Sequence, residues 1–544
     1  MRTYRSVSVA AFAIALSALV GGFFGGRVLA TQDGLPERIN VFTTALKEIE
    51  QKYVEPVESD RVVYSAINGM LQTLDPHSSF MDPKAYAQLR ERQEGHYYGL
   101  GITINVLDGD ITVMALFEGS PAYRKGIRRG DVIAKINGED AKGWTSEQAV
   151  LKLRGPKSTP VQVSIRRTGY DKLIDVEVVR DEIRIPSVPS AFMINPTTGY
   201  IQLRDFSETT DRELGAALRD LTKQGMKQVL LDIRENPGGP LDQAIKVSNR
   251  FLKKGDLIVY TRGRIANSDQ DYHAVENSEY TNLPVIALAN RRSASASEIV
   301  TGALQDHDRG LLVGETTWGK ALVQSIYRLS EGAGLALTTA HYFTPAGRLI
   351  QRPWDESFDE YLSYTTRDQE AVVQHTPSQL KYTKRLGRKV YSGGGIEPDR
   401  RFDGPIEGFN PTRFGRTVYA RQLFDVYAQR FARKGDTRIA LTPTAPAREL
   451  SPGFEVTDAM VAEFRGLVEK SKVKMDEADW QKDLPFIKAM MRFEIDLDLF
   501  GIEAARKDLT KSDPQLQFAL DLFPEAQRLL DLSKAQPTAT RVSR

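Results

Sequence analysis

The sequence contains no cysteine, which excludes disulfide frameworks, thiolate metal sites and a cysteine nucleophile. It contains only six histidines, and these form neither a close pair nor an H-E-x-x-H motif, so a zinc hydrolase has little support. No metal or organic cofactor is predicted.

A strong charge of one sign is also missing. Lys and Arg number 73 and Asp and Glu 71, which gives a net charge of +2 and predicts no nucleic-acid partner. Hydrophobic residues make up 41% of the chain and charged residues 26%, values that are ordinary for globular proteins and argue against wholesale disorder. At roughly 100–200 residues per domain, the 544 residues predict three or four domains.

Long apolar runs are absent except at the N-terminus. There, Arg2 and Arg5 precede an apolar stretch over residues 7–24, and V-L-A at 28–30 follows as a candidate cleavage site. Residues 1–30 are therefore predicted to be an export signal peptide or, because the run is long enough to span a bilayer, a retained membrane anchor. Both predict an exported protein of the periplasm or cell envelope, anchored to the inner membrane in the second case.

The pattern downstream divides the chain into four segments. Apolar residues at helical spacing mark residues 31–95, and short β-rich runs separated by turns mark a compact module at 96–182. Strands alternate with helices over 183–410, which predicts an α/β layer fold with a partly parallel sheet and a polar insertion at 352–393. Residues 411–544 are predicted to be mainly helical. The fold class is thus multidomain α/β with helical segments at both ends.

The first candidate for chemistry is the run N-R-R-S-A-S-A-S-E at residues 290–298, which follows an apolar strand and leads into a helix predicted from about Ser295. Such a turn can present a hydroxyl beside the positive end of a helix dipole, and N–H groups at the helix start can bind an oxyanion. Ser-Ala stretches more often serve as N-caps and close packing, however, and the run alone favours that structural interpretation.

A hydroxyl nucleophile needs a base, and lysine can serve when burial keeps its amine uncharged. Lys320 ends G-E-T-T-W-G-K, where the aromatic and small neighbours would limit hydration, and Gln324 is placed to orient the amine. His307 is a poor base, because it lies about 18 Å from Ser295 along the predicted helix. The ordinary alternative for any single lysine is a solvated surface charge.

A third segment, D-I-R-E-N-P-G-G at residues 232–239, also follows an apolar strand. Its glycines allow positive φ and expose backbone N–H groups, which would suit a second oxyanion donor. A plain strand-to-helix turn explains the segment equally well, so both interpretations stay open.

Together these segments resemble a known family. S-A-S-A-S-E, the later G-E-T-T-W-G-K-A-L-V-Q and the loop L-D-I-R-E-N-P-G-G are similar to motifs of the C-terminal processing peptidases, or tail-specific proteases, of the S41 group. Further motifs match in the family's order over residues 40–405: Y-V-E-P-V, A-I-N-G-M-L-Q-T-L-D-P-H-S-S-F, Y-Y-G-L-G-I, L-R-G-P-K, Y-F-T-P-A-G-R-L-I-Q and G-G-I-E-P-D. The resemblance implies a serine endopeptidase that cuts proteins near their C-termini, on a crotonase-like (ClpP/enoyl-hydratase-type) core.

The resemblance also implies roles for single residues. Ser295 would be the nucleophile, Lys320 the general base and Gln324 the partner that orients the lysine. Ser293 and Ser297, the neighbouring serines of the run, are expected to be caps.

Two further sets of positions follow from the same resemblance. The amides of Gly239 (or Gly238) and Ala296 would form the oxyanion hole. Asp306 matches an acidic position that matters in relatives, and we expect it to give structural support rather than to take part in the chemistry.

The module at 96–182 would then be a PDZ domain. Successive N–H groups of Gly99-Leu100-Gly101-Ile102 would bind the terminal carboxylate of a substrate tail, which adds as a strand to the sheet edge. Arg154 stands where relatives carry an arginine that couples ligand binding to activation, so the domain would gate the protease. The implied partners are protein substrates held by their C-terminal tails. The N-terminal helices support dimerisation in some relatives, and the helices of 445–540 are candidates to mediate oligomers or to bind an adaptor. A homo-oligomer or an adaptor is therefore a further expected partner.

Several features depart from the family pattern: Asn290-Arg291-Arg292 before the serines, Pro240 after the paired glycines, the 352–393 insertion and the helices of 445–540. Two other functions compete with the protease. A catalytically inactive PDZ-containing scaffold of the cell envelope would lack one residue of the catalytic pair. An acyl-CoA enzyme on the same core would lack the PDZ module and the S-A-S-A-S-E run.

Overall fold

The structure is a computed structural model, and it describes residues 34–167, 170–354, 361, 364, 375–402, 411–434 and 448–535. The predicted signal or anchor at 1–30 lies outside the described residues, as does most of the first half of the 352–393 insertion. Within the described ranges, no helix combines the length and apolar content needed to cross a membrane. The described residues fall into two compact units, which divide after Pro83 and at the segment Ile326–Leu337.

The smaller unit consists of the N-terminal helices and the Ile326–Leu337 segment. Its elements are α1 (Gly34–Lys52), α2 (Ser59–Gln72) and β1 (Ser79–Met81). Strand β1 pairs antiparallel with residues 334–336, and Tyr64 of α2 packs on Phe80 with ring centroids 4.8 Å apart. Helix α1 buries none of its residues. That this segment supports dimerisation stays a prediction.

The larger unit begins with helix α3 (Pro83–Glu94) and the β-rich module. The module contains β2 (His96–Gly99), β3 (Ile102–Leu107), β4 (Asp110–Leu116), α4 (Pro121–Arg124), β5 (Val132–Ile136), β6 (Glu139–Asp140), α5 (Ser146–Leu153), β7 (Pro160–Arg166), β8 (Ile174–Val179) and β9 (Asp181–Arg184). Its antiparallel sheet has the order β3-β4-β5-β7-β8, with β6 on β5, and β2 pairs with β9. Strand β3 therefore forms one edge of the sheet, and α5 lies against it.

An α/β core follows the module. Its elements are β10 (Ser190–Met193), β11 (Thr198–Gln202), α6 (Thr210–Lys223), β12 (Gln228–Asp232), α7 (Leu241–Asn249), β13 (Leu257–Gly263), β14 (Gln270–His273), β15 (Val285–Ala289), α8 (Ala296–Asp306), β16 (Leu311–Gly314), β17 (Leu322–Arg328), β18 (Gly334–Phe343), β19 (Leu380–Tyr382), β20 (Lys389–Tyr391) and β21 (Arg400–Arg401). The predicted strand 285–289 is β15, and the helix predicted from about Ser295 is α8.

The central sheet of this core has the order β10-β11-β12-β15-β16-β21. Strand β10 is antiparallel to β11, and every other neighbouring pair is parallel. Strand β15 is wholly apolar and buried, and so is the centre of β12 at residues 229–231, as expected for parallel strands covered on both faces. The loops after β12, β15 and β16 consequently leave the sheet at one edge, and these loops carry the three segments singled out from the sequence.

The described part of the 352–393 insertion is tied to the core. Strands β19 and β20 pair antiparallel, and the turn between them carries Arg385 and Arg388. Arg385 donates to Asp256 at 2.9 and 3.0 Å, and Arg388 donates to Asp308 at 2.6 Å. This hairpin is therefore a structural part of the core and not a freely solvated loop.

The C-terminal region contains a second, mainly helical core. Its elements are α9 (Arg413–Ala420), α10 (Leu423–Ala428), β22 (Phe431–Arg433), β23 (Arg448–Leu450), α11 (Asp458–Lys470), α12 (Glu477–Phe500), α13 (Ile502–Thr510), α14 (Pro514–Asp521) and α15 (Phe523–Ala535). The first part packs around Phe424, Phe464 and Ile487. Helices α14 and α15 instead cover one face of the central sheet, where Leu516 and Phe523 pack on its strands. Helices α6, α7 and α8 cover the other face.

A buried charge cluster joins the β-rich module to the C-terminal region. Arg129, in the turn before β5, lies 2.5 Å from Asp425, 2.6 Å from Glu494 and 3.5 Å from Asp498. Burial and the neighbouring carboxylates raise the pKa of Asp498 to about 7 and that of Asp425 to about 6, although the Arg129 charge opposes the rise. One guanidinium thus faces three carboxylates, and the cluster is overcharged when all three are ionised.

We expect Asp498→Asn to stabilise the protein at pH 8 and to stabilise it less as the pH falls to 5. An acid whose pKa is raised in the folded state destabilises the fold when it is ionised. This destabilisation is complete above about pH 7, and it decreases as the pH falls toward about 4, the ordinary pKa of Asp. The gain in the free energy of unfolding at pH 8 should be on the order of 1 kcal/mol.

The measurement is urea denaturation at both pH values, monitored by tryptophan fluorescence, to which Trp480 in the same helical core contributes. Asp521→Asn, on the exposed surface of α14, is the matched control and should change nothing. An equal gain for Asp498→Asn at pH 8 and pH 5 would contradict the assignment of the raised pKa.

Candidate active site

Ser295 lies between β15 and α8, at the N-cap of the helix, with φ 56° and ψ −113°. A non-glycine residue in this region is strained by about 1–3 kcal/mol, and such strain is common at active sites. The side chain is half-buried, and Ala296, at the start of the helix, is buried. The turn therefore presents the hydroxyl beside the first amide of α8 and the positive end of the helix dipole.

Glu298, in the first turn of α8, holds this turn against the loop that carries Lys320. Its Oε2 accepts from the backbone N–H of Ser295 at 2.8 Å and from that of Lys320 at 2.9 Å. Its Oε1 accepts from the Thr317 hydroxyl at 2.5 Å and from the Gly319 N–H at 2.6 Å. Because one oxygen serves both, the backbone nitrogens of Ser295 and Lys320 lie within about 6 Å of each other.

The Glu298 carboxylate is fully buried. Burial raises the pKa of Glu298, and the hydrogen bonds from Thr317, Lys320, Gly319 and Ser295 counteract part of that rise. A buried carboxylate is tolerated only when such donors replace its lost hydration. The two loops therefore supply the solvation of this carboxylate, and the carboxylate in turn fixes their separation.

Lys320 is half-buried and follows β16 and the Glu315–Gly319 loop. Its Nζ donates to the Gln324 Oε1 at 3.1 Å, so the predicted partner of the lysine amine is within hydrogen-bond distance. Trp318, two positions earlier, donates from its backbone N–H to the Ser293 carbonyl at 3.0 Å. That bond joins the lysine loop to the serine turn a second time.

The glycine loop after β12 contacts the serine turn directly. Gly238 has φ +93°, and a Cβ there would fall 2.8 Å from the Ser295 Cβ and 2.9 Å from the Ala296 nitrogen. The Gly238 N–H donates to the Asn236 side chain at 2.9 Å. Gly239 is exposed. Of the two glycines, Gly239 is thus the one whose amide is not engaged by Asn236.

Asn236 fixes the glycine loop to the serine turn, a role that was not predicted from the sequence. Its backbone carbonyl accepts from the Ala294 N–H and the Ser297 hydroxyl, both at 3.0 Å. Its side-chain amide donates to the Leu203 carbonyl at 2.7 Å. A polar residue between charged neighbours and a Pro-Gly-Gly turn was the available signal, because a buried asparagine must satisfy several hydrogen bonds.

The flanking serines hold loops together. The Ser293 hydroxyl donates to the Ile233 carbonyl at 2.9 Å and accepts from the Asn290 N–H at 3.0 Å. The Ser297 hydroxyl donates to the Asn236 carbonyl. The expectation that Ser293 and Ser297 cap the start of α8 is therefore wrong. Both are buried, whereas Ser295 between them is not.

The departure from the family at Asn290-Arg291-Arg292 has a local explanation. Arg291 is buried and pairs with Glu315 at 2.7 Å, at the start of the lysine loop. Arg292 lies 3.2 Å from Glu235 in the glycine loop, and Asn290 donates to the same side chain at 2.6 Å. These residues thus bridge the serine turn to both neighbouring loops.

Tyr342 approaches the serine turn from β18. Its hydroxyl donates to the Ser295 carbonyl at 3.2 Å. Burial, together with the charge of Glu298, raises the pKa of Tyr342 well above its usual range, so the phenol stays a donor. Tyr342 thus adds a donor to a carbonyl that also accepts from the N–H groups of Glu298 and Ile299 at 2.8 and 3.0 Å.

Asp306 lies at the far end of α8, about 16 Å along the helix from Ser295. It is fully buried and accepts from Arg348 at 2.6 Å and from the Ala346 N–H at 2.8 Å. The buried pair joins α8 to the chain after β18, so the surroundings of Asp306 are those of a structural residue.

The predicted carboxylate loop Gly99-Leu100-Gly101-Ile102 joins β2 to the edge strand β3. Gly101 has φ +76°, and a Cβ there would lie 2.3 Å from the Ser120 Cβ, so the loop requires glycine. The carbonyls of Leu100 and Gly101 accept from the N–H groups of Ala122 and Phe117, both at 3.0 Å. With its carbonyls turned into the module, the loop suits an anion on its amide side.

Arg154 ends α5 beside this loop. Its guanidinium pairs with Glu91 of α3 and stacks over Tyr97 with 4.4 Å to the ring centroid. A Cβ on Gly99 would lie 3.7 Å from its side chain. Arg154 thus contacts both the carboxylate loop and the helix that leads into the module.

Comparisons with known proteins match three stretches of the chain. Peptidase family S41 matches residues 197–354, the PDZ domain matches 88–166, and the N-terminal domain of the activating protease CtpB matches 27–85. The resemblance inferred from the motifs, the PDZ module and the mixed α/β class are confirmed.

The matches to individual relatives span most of the length of those proteins. The chain is 41% identical over 314 residues to the carboxy-terminal-processing protease of Bartonella bacilliformis, covering 57% of this chain and 72% of that protein. It is 35% identical over 347 residues to the carboxy-terminal processing protease CtpA of Bacillus subtilis, covering 63% and 73%. Among solved structures, the photosystem II D1 C-terminal processing protease matches with 28% identity over 67% of this chain and 87% of that one, at a TM-score of 0.35.

We expect Glu298→Gln to destabilise the protein by about 2 kcal/mol or more. The substitution places an amide NH₂ against two N–H or O–H donors in a buried site, and each unsatisfied donor costs about 1–3 kcal/mol. Chemical denaturation measures the loss. The control is Glu235→Gln, whose exposed pair with Arg292 should contribute less than about 1 kcal/mol. Equal losses of stability in both variants would show that the four hydrogen bonds to Glu298 contribute no more to folding than one exposed ion pair.

Proposed function

Because the chain belongs to the carboxy-terminal processing serine proteases of peptidase family S41, we propose that Ser295 is its nucleophile and Lys320 its general base. The single observation that supports this pair most strongly is the shared acceptor, the Oε2 of Glu298, which takes the backbone N–H of both residues. The two residues stand in separate loops after β15 and β16, and only the fold brings them together.

The proposed chemistry begins with an uncharged lysine. Lys320 Nζ takes the proton of the Ser295 hydroxyl, and the oxygen attacks the scissile carbonyl of the substrate. Gln324 accepts from the amine at 3.1 Å and orients its lone pair toward the serine. An acyl-enzyme forms as the leaving amine takes the proton, and water then releases the product.

The oxyanion of each tetrahedral intermediate is proposed to bind the amides of Gly239 and Ala296. Ala296 is the first residue of α8, where N–H groups have no partner within the helix. The glycine loop lies against this amide, since a Cβ on Gly238 would come within 2.9 Å of it. Preorganised donors of this kind contribute about 3–4 kcal/mol each to transition-state stabilisation. Asp306 is proposed to support α8 without touching the substrate.

The PDZ domain is proposed to select substrates by their C-terminal carboxylate and to gate the protease. The tail would add to the free edge of β3, with its carboxylate on the amides of the Gly99-Leu100-Gly101-Ile102 loop. Arg154, paired with Glu91 of α3, is proposed to transmit occupancy of that loop to the chain outside the domain. The protein substrate is the partner that this arrangement favours.

The remaining organisation is proposed on the same basis. The domains are the PDZ domain at 96–182, a crotonase-like protease core at 183–410 and a helical region at 411–544, with the N-terminal helices before them. We propose that residues 1–30 direct the protein to the periplasm or cell envelope, either as a signal peptide or as an inner-membrane anchor. A second copy of the chain or an adaptor would be an additional partner.

The catalytic pair is tested by single substitutions. Ser295→Ala and Lys320→Ala should each lower the cleavage of an unstructured protein with an apolar C-terminus by at least about 10³-fold. Lys320→Ala should leave peptide binding by the PDZ domain intact, since the two lie in different domains. Lys246→Ala, on the exposed surface of α7, is the control. Cleavage that survives Ser295→Ala would refute the mechanism.

Carboxylate recognition is tested by changing the ligand and not the protein. In the Ser295→Ala background, a peptide with a free apolar C-terminus should bind at least about 10-fold more tightly than the same peptide as a carboxamide, because the amide loses the charge-assisted hydrogen bonds. Fluorescence anisotropy measures both affinities. Equal affinity of the acid and the carboxamide would exclude the loop as a carboxylate site.

A further inference from the structure

The first turn of α14, in the C-terminal region, contacts the catalytic edge of the central sheet. Asp513, the N-cap of α14, accepts from the Leu516 N–H with Oδ1 at 3.1 Å. Its other oxygen, Oδ2, accepts from Arg234 at 2.7 Å, and the Gln515 Oε1 accepts from the same guanidinium at 2.9 Å. Arg234 belongs to the glycine loop of the active site.

Arg234 is held rigidly from the opposite side. Its Nε and Nη2 donate to the two oxygens of Asp232 at 2.9 and 2.7 Å, and Tyr200 donates to the same carboxylate at 2.9 Å. Burial alone would lower the pKa of Arg234, but the charges of Asp232 and Asp513 raise it well above its usual range. The guanidinium is therefore a permanent cation between two carboxylates, one from the core and one from α14.

Gln515 also contacts the lysine side of the site. A Cβ on Gly314, the last residue of β16, would lie 2.5 Å from the Gln515 Nε2. Strands β12 and β16 are the two neighbours of β15, which leads to Ser295. The first turn of α14 thus contacts the ends of both strands that flank the nucleophile.

The glycine loop connects Arg234 to the reacting groups over a short path. The residue before Arg234 is Ile233, whose carbonyl accepts from the Ser293 hydroxyl at 2.9 Å. Asn236 lies two residues after Arg234. Its backbone carbonyl accepts from the Ala294 N–H, and its side chain accepts from the Gly238 N–H. A shift of Arg234 would therefore move the glycine loop and the serine turn relative to each other.

We propose that Asp513 is a positioning residue for the reaction, an inference that rests on the proposed function. It holds Arg234, and through Arg234 the loop that offers the oxyanion donor. The C-terminal region, which lies outside the shared family motifs, then completes the active-site framework of this protein. Misplacement of catalytic groups by about 1 Å can lower turnover by about 10²-fold.

The test separates the two roles of Asp513. Asp513→Ser keeps an N-cap of similar quality for α14 but cannot reach Arg234. Removal of Asp513 leaves Arg234 paired with Asp232, so no buried charge is left alone and the variant should fold. We expect kcat to fall about 10-fold or more while KM stays within about two-fold of the parent value.

A second variant and a control complete the design. Gln515→Met removes the second acceptor that α14 offers to Arg234 while filling similar space, and it should lower kcat in the same way. Glu525→Gln breaks the pair between α15 and Arg400, a contact of the same C-terminal region that does not involve the glycine loop, and should leave kcat unchanged.

The outcomes discriminate between the proposals. A folded Asp513→Ser variant with the parent kcat would overturn the positioning role, as would an equal fall of kcat in Glu525→Gln. A parent protein whose cleavage survives Ser295→Ala would instead refute the proposed function itself. Loss of kcat in both Asp513→Ser and Gln515→Met, with Glu525→Gln intact, supports the proposal.

Discussion

One buried carboxylate, that of Glu298, is the constraint on which the candidate active site depends. An ionised group inside a protein needs donors to replace its water, and Glu298 takes four from two separate loops. Each of its oxygens accepts from two donors, so a movement of either loop would remove hydrogen bonds from a buried carboxylate. The separation between the serine turn and the lysine loop is thus set by the hydrogen-bond requirement of a third residue.

The parallel sheet makes this constraint possible. Strands β12, β15 and β16 are neighbours and run in the same direction, so the loops after them leave at one edge. Asn236 ties the first of these loops to the second, and Glu298 ties the second to the third. Packing of α14 and α15 against the opposite face of the sheet from α8 then adds contacts from the C-terminal region to the same edge.

Elements with a strong local signal could be predicted from the sequence. The apolar run of β15 followed by small residues marks both the strand and the start of α8, and Asp513-Pro514 marks the start of α14. The serine and lysine loops were recognised through their motifs. Glu298 was visible only as the last letter of one motif, since nothing local shows that its carboxylate faces another loop.

Partners that are far apart in the chain could not be predicted. Arg129 looks like an ordinary surface charge in the sequence and Asp513 like a helix N-cap, and their charged partners are defined only once the domains pack. The same holds for Arg291, which departs from the family pattern and yet is buried against Glu315. A charge becomes informative when burial forces it to find a counter-charge, and burial is a property of the complete fold.

The backbone of Ser295 has one more consequence. Its strained conformation is held by the donors and acceptors of neighbouring loops and is not favoured by the serine itself. An incompletely folded chain, in which those loops have not met, would let this residue relax to an ordinary conformation. On the proposed mechanism, the geometry for attack would exist only after these loops had met, so an incompletely folded chain would not cleave its neighbours.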